Sequence, residues 1–94
     1  MRILGFRHRD LERLWRLDHA RGVARQYEPK IRAMLTALQE AENIGELGTI
    51  RGWRLHPLKG DRKGFWSLAV TRNYRLTFRV SNNTVTEIDF EDYH

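Results

Sequence analysis

Up to about residue 42 the apolar positions recur at steps of three and four; from Trp53 onward they recur at steps of two. That change of period divides the chain into a helical half and a strand half. In RDLERLWRL (9–17), Leu11, Leu14 and Trp15 share one helical face, and Asp10 supplies a first-turn carboxylate suited to the helix dipole. DHARG (18–22) ends that helix, with Gly22 as the breaker. A second stripe follows: Val23, Tyr27, Ile31, Met34, Leu35, Leu38 and Ala41. Pro29 is tolerated only in a first turn, so this helix is expected to start between Ala24 and Glu28. RILGF (2–6) reads as a short strand, and NIGELGTIRG (43–52) as loop.

Four more strands are expected. WRLHPL (53–58) is closed by Pro57, and GFWSLAVT (64–71) has the aromatic and branched content of a central strand. YRLTFRV (74–80) alternates: Tyr74, Leu76, Phe78 and Val80 on one face, Arg75, Thr77 and Arg79 on the other. SNN (81–83) is a hairpin turn into TVTEIDFEDY (84–93). The predicted fold class is α+β: two N-terminal helices packed on a small twisted, mainly antiparallel sheet. One face of that sheet meets the helices and the other faces water.

A length of 94 residues sets one domain, 1–94, as the expectation. With no cysteine there is no disulfide, thiolate metal site or cysteine nucleophile, which suits a reducing cytoplasm. MRILGF is charged too early for a signal peptide, and no stretch is long and apolar enough for a membrane span. The formal charge of +5 changes the picture more, because it favours a polyanionic partner such as RNA or a ribosome. Much of the positive charge lies in the first half and in 51–79, whereas the tail carries Glu87, Asp89, Glu91 and Asp92.

The candidate chemistry sits in two segments. RLHPLKGDRKGFWSL (54–68) places His56 at a strand end and Lys59, Arg62 and Lys63 on a glycine-flanked turn. Like-charge repulsion from those cations favours a neutral imidazole, which is able to act as a base. EDYH (91–94) adds Asp92, Tyr93 and His94, groups that move protons. If the last strand returns beside the centre of the sheet, these groups face His56, Lys59 and Arg75 across its open face. Two histidines, a carboxylate, a phenol and several cations suit metal-free RNA cleavage. A base takes the 2′ proton, cations stabilise the phosphorus oxygens, and an acid protonates the leaving 5′ oxygen. DNA has no 2′-hydroxyl to attack with. A two-histidine, one-carboxylate metal site from His56, Asp92 and His94 is the weaker reading, because the neighbouring cations repel a dication. No cofactor or metal is expected. Arg54, Arg62, Lys63, Arg72 and Arg79 are the candidate contacts to RNA or ribosome.

GFRHRDLERLW, LHPLKGDRKGFWSLAVTRNYRLTF and DFEDYH resemble the HigB-type toxins of the RelE/ParE superfamily, over essentially the whole chain. The resemblance implies a toxin of a type II toxin–antitoxin pair that cleaves mRNA on the translating ribosome and so inhibits translation. It implies a HigA-like helix-turn-helix antitoxin as partner, with operator DNA bound only through that antitoxin. It also implies catalytic roles for His56, Lys59, Arg75, Asp92, Tyr93 and His94. Either histidine fits base or acid, Tyr93 is a further candidate acid, and Asp92 would orient a neighbour. The rival readings are a ParE-like toxin that poisons DNA gyrase and a non-catalytic basic module that binds RNA or protein.

Overall fold

The computed structural model describes residues 1–92. Strand β1 (Arg2–Ile3) leads into helix α1 (Arg9–Leu17) and helix α2 (Glu28–Glu40). A 3-10 helix (Ile44–Thr49), strand β2 (His56–Pro57) and a 3-10 turn (Gly60–Arg62) follow. Strands β3 (Phe65–Ala69), β4 (Tyr74–Ser81) and β5 (Thr84–Asp92) complete the described chain. The five strands form one sheet in the order β1-β5-β4-β3-β2. The β1–β5 pairing is parallel and the other three are antiparallel. The α+β class and the mainly antiparallel sheet are therefore as expected.

Each helix forms where its apolar stripe meets this sheet. Leu11 and Leu14 of α1 and Ile31, Met34, Leu35 and Leu38 of α2 are buried against Leu68, Leu76, Phe78, Val85 and Ile88. The Nδ1 atom of His8 accepts from the Leu11 N–H at 3.3 Å and caps α1. Asp18, at φ 55°, ends α1 ahead of Gly22. The α2 helix starts at Glu28, so Pro29 falls in the first turn, where no N–H is needed. Val23 and Tyr27 consequently precede the helix that their spacing suggested, although both still pack on the core.

One strand expectation and one loop expectation need correction. The expected strand 53–58 shrinks to His56–Pro57, because Arg54 adopts a left-handed φ of 50° that interrupts extended backbone. Strand β3 lies inside the sheet between β4 and β2, as expected of a central strand. Segment 43–52 contains the 3-10 helix, which carries the buried Leu47.

One irregularity governs which side chains reach which face. In the β4–β5 ladder, Val80 pairs with Val85 and Arg79 with Thr86, but Thr77 pairs with Asp89. One extra residue of β5 is accommodated there, and Glu87 takes a φ of 53°. Alternation alone would put Val85 and Ile88 on opposite faces, yet both are fully buried. Beyond the bulge, Phe90 pairs with Leu76 on the helix face and Glu91 pairs with Arg75 on the open face.

The left-handed backbone at Glu87 yields a stability prediction. Glu87→Val puts a β-branched side chain there and should cost about 1–2 kcal/mol. Glu87→Gly relieves that strain and should equal or exceed the parent in stability. Urea unfolding followed by circular dichroism measures both.

Candidate active site

Register builds the open face row by row. His56 pairs with Ser67, Ser67 with Thr77, and Thr77 with Asp89, so these four share one cross-strand row. The next row holds Ala69, Arg75 and Glu91. On the other side of the first row, Phe65 pairs with Arg79. The predicted alternation of β4 is what points Arg75 and Thr77 away from the helices while Leu76 and Phe78 fill the core.

A depression of about 180 Å³ opens here, lined by Arg62, Ser67, Arg75, Thr77, Glu91 and Asp92, among others. A two-pronged ion pair crosses it. Arg62 Nη1 donates to Glu91 Oε1 at 3.0 Å and Nη2 donates to Oε2 at 2.7 Å. The Thr77 hydroxyl donates to the same Oε2. The Arg62 guanidinium also lies 5.3 Å from the centre of the Phe65 ring. The hydrogen bond from Arg62 holds the Glu91 carboxyl below its ordinary value; burial opposes that shift and the Thr77 bond adds to it. Glu91 in turn raises Arg62 above its ordinary value. Ser67 is buried, and its Oγ has no hydrogen-bond partner among the described residues. The depression thus holds a fixed carboxylate, an unused hydroxyl and two guanidinium groups.

Arg75 and Asp92 both line this depression. His56 joins the same face through its row and is exposed on β2. Lys59 is exposed at the start of the 3-10 turn, and Lys63 is exposed at its end. Neither lysine lines the depression. Arg62, expected as an RNA contact, is engaged with Glu91, because its turn lies opposite the end of β5. Arg79 is exposed and sits 4.0 Å from the Glu87 carboxylate. Arg54 and Arg72 line a separate, larger cavity that adjoins the depression at Arg75. Tyr93 and His94 lie outside the described residues. Tyr74, a candidate base-stacking ring by sequence, is on the helix face, 5.3 Å from Phe90 and 5.5 Å from Tyr27 between ring centres.

Sequence reasoning missed Glu91, Ser67 and Thr77. Glu91 stood inside EDYH, but strict alternation from Val85 counts it toward the helices. The signal that was available is the spacing of Val85, Ile88 and Phe90, a step of three within a step-of-two strand.

A family profile described as the RelE-like toxin of the type II toxin–antitoxin system HigB matches residues 4–94. The chain is 40% identical over 92 residues to Endoribonuclease HigB of Proteus vulgaris, covering 98% of this chain and 99% of that protein. This chain belongs to the HigB-like toxin family. Its fold also resembles YafQ from E. coli, with a TM-score of 0.61 at 15% identity, covering 98% of this chain and 93% of YafQ. The toxin of the YoeB–YefM complex from Staphylococcus aureus gives a TM-score of 0.60 at 20% identity, covering 100% and 97%. As a type II toxin, the HigB-like chain works against an antitoxin partner. No helix among the described residues is long and apolar enough to cross a membrane.

The clasp across the depression makes the toxin acid-sensitive in a specific way. The Glu91 carboxyl titrates near 4.5 when unperturbed and lower in the folded chain. Its contribution to stability is therefore complete above the unfolded value and is lost as pH falls through the folded one. Glu91→Gln should cost about 1 kcal/mol at pH 7 and should flatten the decline in stability below about pH 4.5. Thermal melts of both proteins between pH 7 and pH 2.5 read the difference.

Proposed function

We propose that this HigB-like toxin is a ribosome-dependent endoribonuclease that cuts mRNA by metal-free attack of a ribose 2′-hydroxyl. The observation that carries this reading is the position of Arg75 in an open-face depression that Asp92, at the end of β5, also lines, with His56 on the same face. The name of the Proteus vulgaris relative, an endoribonuclease, supports it. The residues 1–94 would act as one toxin domain in the cytoplasm.

The reaction asks little covalent chemistry of the protein. The 2′ oxygen forms a bond to phosphorus, and the bond from phosphorus to the 5′ oxygen breaks. This leaves a 2′,3′-cyclic phosphate on one product and a 5′-hydroxyl on the other. His56 or His94 takes the 2′ proton; Tyr93 or the other histidine delivers a proton to the departing 5′ oxygen. Arg75, and Lys59 from the neighbouring turn, stabilise negative charge on the non-bridging oxygens. Asp92 orients one of the proton-carrying groups. The ribosome presents the message in line for attack, which lowers the demand on each acid–base group. The antitoxin partner is HigA-like, with a helix-turn-helix domain through which the pair contacts operator DNA.

Primer extension on one message in a purified translation system tests the proposal. The parent protein should give codon-phased cuts that disappear when ribosomes are omitted. His56→Ala and Arg75→Ala should each slow cutting at least about 100-fold, with circular dichroism unchanged. His94→Gln should do the same. Retained cutting in all three variants, or gyrase-linked DNA breaks in place of RNA cuts, would sink the assignment.

A further inference from the structure

The larger cavity beside the depression, about 400 Å³, shares Arg75 with it and otherwise has no part in the cleavage chemistry described above. Its lining includes Lys30, Arg54, Thr71, Arg72 and Arg75, and among the described residues no carboxylate side chain. The cations come from four separate parts of the chain. Lys30 lies in the first turn of α2, and Arg54 precedes β2. Arg72 lies in the turn between β3 and β4, and Arg75 lies on β4. The Thr71 hydroxyl shapes the turn that carries Arg72, accepting from the Asn73 and Tyr74 N–H groups at 3.2 and 3.1 Å. Arg54 keeps its left-handed backbone at the cavity wall, a conformation that is costly for a residue with a side chain.

Several cations outside the cavity are tied to carboxylates. Arg13, Arg16, Arg32, Arg62 and Arg79 each have a carboxylate within 4.0 Å. Lys30, Arg54 and Arg72 form no ion pair with a described residue. Three cations held around one concavity, with no carboxylate among the described lining residues, make a site for an anion. A cavity of this size falls in the range that takes a small ligand, and it is mainly polar in its chemistry. Arg75 belongs both to this cavity and to the candidate active site. An anion in the cavity is therefore next to the phosphate being cleaved.

We infer that this cavity is a second phosphate subsite, which holds the phosphodiester adjacent to the scissile one on the same RNA strand. The inference rests on the endoribonuclease reading and deepens it. Lys30, Arg54 and Arg72 grip the neighbouring phosphate, and Arg75 spans the two positions. The subsite recognises backbone charge and carries no base preference of its own. It fixes the register of the strand, so that only one phosphate at a time lies over the proton-carrying groups.

The test neutralises one phosphate at a time. Messages carrying a single methylphosphonate, one link before or one link after the cut, are supplied to the purified translation system, and cleavage rates are compared. With the parent toxin, one of these two substitutions should slow cleavage by about tenfold, the loss of one charge-assisted contact. Lys30→Ala/Arg72→Ala should cleave unmodified message about as slowly, and the same methylphosphonate should then cause no further loss. Arg72→Lys, which keeps the charge, should recover part of the rate. Both altered residues have solvent-accessible side chains, and melting temperatures confirm that the variants fold. A methylphosphonate penalty that is the same in parent and double variant, or absent from both positions, overturns the subsite. Failure of the parent toxin to cut unmodified message at all overturns the endoribonuclease reading, and the subsite with it.

Discussion

The bulge at Glu87 decides what the rest of the sheet can do. Strand β5 must bury Val85 and Ile88 in one core, three residues apart, and a regular strand buries only alternate residues. The extra residue resolves that conflict by shifting the parity of everything after it. Phe90 then turns toward Tyr27 and Tyr74, and Glu91 turns toward Arg62, Arg75 and Thr77. One left-handed residue thus closes the apolar core and also delivers a carboxylate to the opposite face. Core packing and site assembly are the same event in this strand.

The site is less simply basic than the composition suggests. The chain carries +5, yet the depression holds Glu91, with Asp92 at its edge. Glu91 gives Arg62 a fixed geometry, because a bidentate pair with a hydroxyl on one oxygen leaves the guanidinium little rotational freedom. The larger cavity alongside is cationic, and no carboxylate side chain lines it among the described residues. Cations with a partner are held in place, and cations without one are available to a polyanion. A phosphate strand lying across both regions meets a pre-shaped surface, which reduces the ordering it must undergo on binding.

Most of the fold was legible in the sequence, because the shift from helical to strand period is sharp. Helix 9–17 and the hairpin at 81–83 emerge from short-range signals that the structure does not override. The strand 53–58 was over-read because nothing in its pattern announces the left-handed backbone of Arg54. At the site, Arg75 and Asp92 were visible by residue type, and Arg75 also by alternation. Glu91 was hidden by a register change, and Lys30 by distance along the chain, since its helix reaches the cavity only through the tertiary fold. Local pattern names the side chains; long-range pairing decides which of them meet.

The sheet order carries a further consequence. Strand β5 lies between β1 and β4, so residues 84–92 pair with both the beginning of the chain and the segment just before them. During synthesis, β1 has no parallel neighbour and the helices have only part of their sheet until β5 has been made. Contacts of this sequence separation form late. The depression is also unfinished until then, because Glu91 and Asp92 belong to that same strand. The toxin's architecture therefore leaves this depression incomplete until residues 84–92 have joined the sheet.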